Sequence, residues 1–135
     1  MKIKVKRISS ILTTTIIISM FIYYGYNEIK SSSHNSEYPL LTRDTTLTGI
    51  VDTFFNDLYS SPRGALYIKL SDGFKFRTSI NSYNNKISLY DFLYKGDSLC
   101  KPQGQDLLYI YKGGLKYIYD IPTQESYDSI FHKKN

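Results

Sequence analysis

Two patterns divide the chain. From Ile8 to Tyr24 every residue is apolar, hydroxylated or aromatic and none is charged, directly behind Lys2, Lys4, Lys6 and Arg7. As a helix this run covers about 25 Å, close to the shortest length that crosses a bilayer core. Ser9, Ser10, Thr13, Thr14, Thr15 and Ser19 dilute it, but hydroxyls can bond back to carbonyls one turn earlier. Tyr23, Tyr24 and Tyr26 follow, where amphipathic rings suit the headgroup zone, and the basic flank keeps the N-terminus cytoplasmic. The pattern predicts a transmembrane helix acting as an uncleaved signal anchor, with the C-terminal part outside the cytoplasm, at a bacterial inner membrane facing the periplasm. A cleaved signal would need small residues before the cut; Gly25 supplies one, but bulky Tyr23 stands two before it. The expected organisation is a basic cytoplasmic segment (1–7), an anchor (8–26), a flexible spacer (27–37, polar and Ser-rich) and one small domain (38–135).

The second pattern is short β-branched and aromatic runs broken by Gly, Pro and Asp. Leu47 to Phe55 (LTGIVDTFF) reads as a strand, although its alternation does not say which face is buried. Ser60 to Gly64 is a loop. Ala65 to Ser71 and Phe74 to Ile80 flank Asp72-Gly73. A two-residue loop there would point the two apolar faces opposite ways. A three-residue loop, Ser71-Asp72-Gly73, sets Ile68 against Phe76 and Leu70 against Phe74, with Gly73 supplying the positive φ. Leu66, Ile68, Leu70, Phe74 and Phe76 then face inward. Ser88 to Gly96 reads as a short helix, with Ser88 as N-cap, Asp91 in the capping-box position, a Leu89/Phe92/Leu93 stripe and Gly96 at C′. Ser98 to Lys101 is a strand. Leu107 to Lys112 and Leu115 to Ile121 form a hairpin closed by Gly113-Gly114, with Ile110 opposite Tyr117 and Leu108 opposite Tyr119 on the core face. Tyr109, Tyr111, Lys116, Ile118 and Asp120 take the other face. Beyond Pro122, Thr123 can cap a last helix whose Tyr127, Ile130 and Phe131 dock on the domain.

Three strands, a short helix and three more strands predict an all-β domain with short helices. The expected form is a small antiparallel OB-like or SH3-like barrel, or a rolled sheet. Closure would also remove the edge strands.

Charge changes the picture little. The chain has 135 residues and a net charge of +5; of its 17 basic residues four precede the anchor, leaving 13 against 12 acidic ones. The excess is topological, so nucleic acid is not an expected partner. Cys100 is the one cysteine, so no internal disulfide forms, and its strand position suggests a small buried apolar residue. Fourteen Tyr and no Trp suit half-buried strands and binding surfaces alike.

Candidate chemistry is sparse. Gly96-Asp97-Ser98-Leu99 spells the signature of GDSL esterases, in which the Ser is the nucleophile, and Asp128 and His132 are partners by residue type. That family's fold is a larger parallel α/β sandwich with the motif near its start, and its acid and His stand three apart rather than four. Gly96 is accounted for as a helix cap, so the tetrapeptide reads as fortuitous and no catalytic residue is assigned. His34, His132 and Cys100 lack zinc-site spacing, the Asp residues scatter over turns and caps, and Gly113-Gly114 precedes no helix; no metal or cofactor is expected. Tyr67, Lys69, Lys75 and Arg77 share the outer face of the first hairpin, a candidate surface for an extended glycan, a peptide or an envelope protein. A solvated polar face explains the same four residues.

The basic anchor, the strand LTGIVDTFF, the segment YDFLYKGDSLCK and the hairpin LLYIYKGGLKYIYDI together resemble small uncharacterised envelope proteins of Bacteroidetes. The resemblance implies an exported, membrane-tethered β domain and carries over no site residues. The function expected is a non-enzymatic binding or interaction module. A structural subunit of an envelope complex is the alternative, favoured by an exposed apolar patch over Tyr109, Tyr111 and Ile118, and a small esterase-type hydrolase is the remote one.

Overall fold

The computed structural model describes residues 2–57, 64–80 and 86–132, without the side chains of 2–11, 31, 32, 127 and 130–132. In chain order the elements are α1 (Lys2–Glu37), β1 (Leu47–Asp57), β2 (Ala65–Leu70), β3 (Lys75–Ser79), α2 (Leu89–Phe92), β4 (Ser98–Lys101), β5 (Leu107–Lys112), β6 (Leu115–Asp120) and α3 (Gln124–His132). The six strands form one antiparallel sheet in the order β3-β2-β1-β4-β5-β6.

β1 is the shared strand. Its first half, Leu47 to Ile50, pairs with β4, and its second half, from Val51, pairs with β2. Between Val51 and Thr53 the register shifts by one residue, so Val51 faces Leu70 while Thr53 faces Lys69. This bulge at Asp52 reverses the alternation. Leu47, Gly49 and Val51 lie on the inner side before it, and Phe54 and Asn56 lie opposite the inward Ile68 and Leu66 after it. LTGIVDTFF lacks a clean period for this reason.

The β2–β3 hairpin has the predicted three-residue loop. Ile68 faces Phe76, the Leu70 amide donates to the Phe74 carbonyl at 2.8 Å, and Gly73 has φ +91°. Leu66, Ile68, Leu70 and Phe76 are fully buried. Phe74 is not: it sits past the last ladder pair, at the hairpin tip, and is 41% exposed. In the β5–β6 hairpin, Ile110 faces Tyr117 and Leu108 faces Tyr119, as the spacing predicts.

α2 is shorter than predicted. Ser88 caps it, its Oγ accepting from the Asp91 amide at 3.1 Å, but the helix ends at Phe92. Gly96, at φ +93°, turns the chain into β1's other neighbour rather than capping the helix. Its amide donates to the Val51 carbonyl at 2.8 Å, and the Val51 amide donates to the Asp97 carbonyl at 2.9 Å. Leu89 and Leu93 join Val51, Leu99, Leu108, Ile110 and Ile121 in one core cluster, with Phe92 packed against it.

The sheet does not close into a barrel: β3 and β6 are its ends. The two needs that closure would meet are met otherwise. Leu89, Phe92 and Leu93 in and just after α2 pack into the core, and residues 38–41 protect the β3 edge, where the Arg77 amide donates to the Pro39 carbonyl at 3.1 Å beside a Leu40–Arg77 bridge.

Residues 27–37 are not a loose spacer but the last turns of α1, which dock on the sheet. His34, Tyr38, Phe55 and Tyr67 form an aromatic cluster, with Phe55 and Tyr67 stacked at 4.9 Å. Earlier in α1, the Ser19 hydroxyl bonds back to the Thr15 carbonyl at 2.9 Å, as expected of a hydroxyl in an apolar helix. Among the described residues no helix is long and apolar enough to cross a membrane. Thr13, Thr14, Thr15 and Ser19 lower the apolarity of the described part of the run, and the side chains of 8–11 lie outside it. The loop read over Ser60 to Gly64 lies outside the described residues apart from Gly64, and the docking of Tyr127, Ile130 and Phe131 rests on side chains that lie outside them.

The inward register predicts a contrast. Ile68→Ala should cost about 2–5 kcal/mol of stability, whereas Phe74→Ala, at the exposed tip, should cost less than about 1 kcal/mol. Urea unfolding of both variants checks this, and equal losses would contradict the register.

Candidate functional site

The four residues proposed as a surface share one face, as predicted: Tyr67 lies opposite Arg77 and Lys69 opposite Lys75. The face is not an open groove. Tyr67 is fully buried beneath the end of α1, and its hydroxyl donates to Asn35 Oδ1 at 2.9 Å. Lys75 pairs with Glu37, whose carboxyl is held below its usual range by that bond, and its Nζ stands 5.4 Å from the Tyr38 ring. Lys69 and Lys95 both reach Asp52 in the β1 bulge, at 3.7 and 3.1 Å. Arg77 is half-buried. Three of the four therefore fasten α1 and the bulge. No local pattern signals this, because a Ser-rich segment carries no helical stripe.

Beside this contact, Asn27, Lys30 and His34 of α1 and Phe55, Asn56 and Asp57 of β1 line a cavity of about 210 Å³. Lys30 and Asp57 give it opposite charges, and its described lining has no Ser, Thr or Cys nucleophile.

Gly96-Asp97-Ser98-Leu99 serves the sheet. Asp97 accepts from the Tyr94 amide at 2.8 Å and pairs with Lys112 at 3.0 Å. Ser98 is a ladder residue between Ile50 and Tyr111, and Leu99 is core. Asp128 accepts from Gln124 Nε2 at 3.2 Å on α3.

Strand alternation corrects the reading of Cys100. With Leu99 inward, Cys100 faces outward and is half-buried, while Lys101 is fully buried. Its ammonium donates to the Arg43 and Thr45 carbonyls, both at 2.8 Å, and to the Pro102 carbonyl at 3.3 Å. Burial lowers the pKa of Lys101, with Asp106, Glu125 and Asp44 opposing. Around it, Arg43 makes two bonds to Asp106, at 3.1 and 2.7 Å, and the hydroxyl of Thr123, directly before α3, gives Asp106 a third at 2.8 Å, while the Thr123 amide donates to Ser126 Oγ at 2.8 Å. The Arg43 guanidinium holds the Asp106 carboxyl below the usual carboxylate range, and Asp106 raises Arg43 in turn. Glu125, lowered by its own amide and that of Arg43, accepts from the latter at 2.8 Å. The network clamps residues 43–45, the β4–β5 turn and the start of α3 together.

The outer face of β1, β4, β5 and β6 is different in kind. Ile50 is 51% exposed, Tyr111 40% and Ile118 50%, and Thr48, Cys100 and Tyr109 lie among them. Lys116 Nζ stands 3.5 Å over the Tyr109 ring. Among the described residues no helix lies on this face. No family model matches the chain, and neither a curated protein nor a solved structure matches it.

Two outcomes follow. Tyr67→Ala should destabilise the domain by about 3–5 kcal/mol, the cost of emptying a buried aromatic site, and Arg77→Ala by about 1 kcal/mol or less. Thermal unfolding distinguishes them, and an intact Tyr67→Ala fold would return Tyr67 to the surface. For Asp106, a folded pKa below the unfolded value adds stability above about pH 4 that is lost as pH falls through the folded value. The urea midpoint should drop from pH 5 to pH 2, less steeply in Arg43→Ala; parallel curves would contradict the pairing.

Proposed function

We propose that the protein is a membrane-tethered domain outside the cytoplasm that acts without catalysis, as an interaction module in an envelope assembly. The observation that carries the reading is the apolar face over Tyr109, Tyr111 and Ile118, on which Tyr111 and Ile118 are 40% and 50% exposed among the described residues. A face of this kind on a small domain marks a protein contact. With Tyr67 buried, the alternative surface on the first hairpin has lost its aromatic platform, which favours a protein partner over a glycan or an extended peptide.

The tether has its own support. Leu12, Ile16, Ile17, Ile18, Met20, Phe21 and Ile22 are all about half to three-quarters exposed, and they occupy every side of α1. A helix that is apolar all round is stable only when something apolar surrounds it, and the described protein does not. Lys2, Lys4, Lys6 and Arg7 before the run orient it with the domain outside. The resemblance to Bacteroidetes envelope proteins agrees with this placement. An OB-like identity draws support from β1 serving β2 and β4 with its two halves and from α2 between the third and fourth strands.

Tyr111→Asp and Ile118→Asp place charge on the exposed face and should leave the unfolding midpoint unchanged. Extracted from its own cells in mild detergent, the wild-type chain should migrate well above monomer size and both variants at monomer size. A wild-type chain at monomer size would overturn the assembly reading. Protease added to spheroplasts should cut the domain, and full protection would overturn its location.

A further inference from the structure

The exposed face has an internal order that names its partner. Cross-strand pairing arranges it in rows: Ile50, Ser98, Tyr111 and Lys116 in the first, and Thr48, Cys100, Tyr109 and Ile118 in the second. The third row contains Leu107 and Asp120. Lys116 and Asp120 thus lie on the same face of β6, at opposite ends, with Ile118 between them.

We propose that this face is a homodimer interface, in which two copies stack sheet on sheet about a twofold axis running along the Thr48–Cys100–Tyr109–Ile118 row. The proposal rests on the assembly reading above and specifies a second copy as the partner. Rotation about that axis reverses strand direction and keeps each strand over its own equivalent. The second row then meets itself, apolar on apolar at Tyr109 and Ile118. The first row of one copy meets the third row of the other, which brings Lys116 against Asp120 of the second copy, and the reverse. A contact of this kind is isologous: one patch complements itself, and each ion pair occurs twice. A one-signed face would lack this property.

The area fixes how the dimer behaves. Ten positions, on strands about 4.8 Å apart and in rows about 7 Å apart, give roughly 340 Å² per copy, less than half the area of about 800 Å² that each partner buries in a stable soluble complex. The dimer is weak in free solution. Confinement of both copies to one membrane by α1 supplies the missing effective concentration.

Geometry also fixes the chemistry of Cys100. Stacked sheets lie about 10 Å apart, whereas a disulfide requires Cα atoms within about 7 Å. The two Cys100 thiols face each other across the axis without bonding, within reach of a short bis-maleimide.

The test uses the full chain, as the only protein in liposomes, treated with a short bis-maleimide. A dimer that survives reduction should form, and Cys100→Ser should abolish it. Lys116→Asp alone and Asp120→Lys alone should each lower the yield about tenfold, since each sets like charges together. Mixing the two variants should restore it, because each then presents the charge the other lacks; restoration also shows that both are folded. Absence of a Cys100 dimer, unaffected single variants or a mixture that stays monomeric would each overturn the proposal. If the chain migrates as a large complex from its own cells yet gives no Cys100 dimer in liposomes, this inference falls and the assembly reading stands. If it is monomeric in both, both fall.

Discussion

The extra residue in β1 is the constraint on which the other elements depend. A strand with strict alternation could not keep Val51 and Phe54 on one side, and here both must face the core. The bulge at Asp52 makes that possible and lets one strand serve two partners. Its consequences are local and linked. Val51 commits both of its backbone groups to the Gly96-Asp97 turn, while the Ile50 carbonyl before it accepts from the Ser71 amide at 2.8 Å at the end of β2. Asp52, turned outward by the bulge, collects Lys69 and Lys95. Gly49 lies so close beneath Leu70 that a Cβ there would come within 2.7 Å of the leucine Cδ1. β2 and β4 are held at one defined offset because all of these contacts are satisfied together.

Hairpins were legible in the sequence because two signals agreed in each. At Ser71-Asp72-Gly73 the apolar alternation and the positive-φ demand chose the same loop length, and at Gly113-Gly114 they did so again. Where only one signal existed, reading by type misled. Cys100 in SLCK reads as a small buried apolar residue, yet the phase set by Leu99 turns it outward and places Lys101 in the interior. Lys101 tolerates this because three backbone carbonyls converge on its ammonium, two of them from residues more than fifty positions earlier. No local pattern encodes acceptors so distant. The same holds for Tyr67: its exposure was decided by α1, a long helix whose Ser-rich end carries no apolar stripe of its own.

Lys101 also explains why the approach to β1 is ordered without a disulfide. A buried ammonium without acceptors would be far too costly, so it binds residues 43–45 as firmly as they bind it. Arg43 then spans outward to Asp106 and Glu125, and Asp106 holds Thr123 at the entrance to α3. A network of this kind replaces covalent closure in a domain with a single cysteine, and it leaves that cysteine to the opposite side of β4.

α1 joins the two halves of the proposal. From Leu12 to Ile22 its apolar side chains are exposed, and its last turns are fixed to β2 and β3 through Tyr67, Asn35, Lys75 and Glu37. A helix continuous from one to the other transmits orientation, which a flexible spacer would not. The contact with α1 lies on the outer side of the β1–β2–β3 half of the sheet, while the exposed rows lie on the outer side of the β1–β4–β5–β6 half. α1 and the exposed face therefore use different strands, and occupation of one leaves the other accessible. In the proposed arrangement, a domain carried on such a helix meets its neighbour with one face already selected, and a face too small to hold two soluble domains together becomes sufficient for two tethered ones.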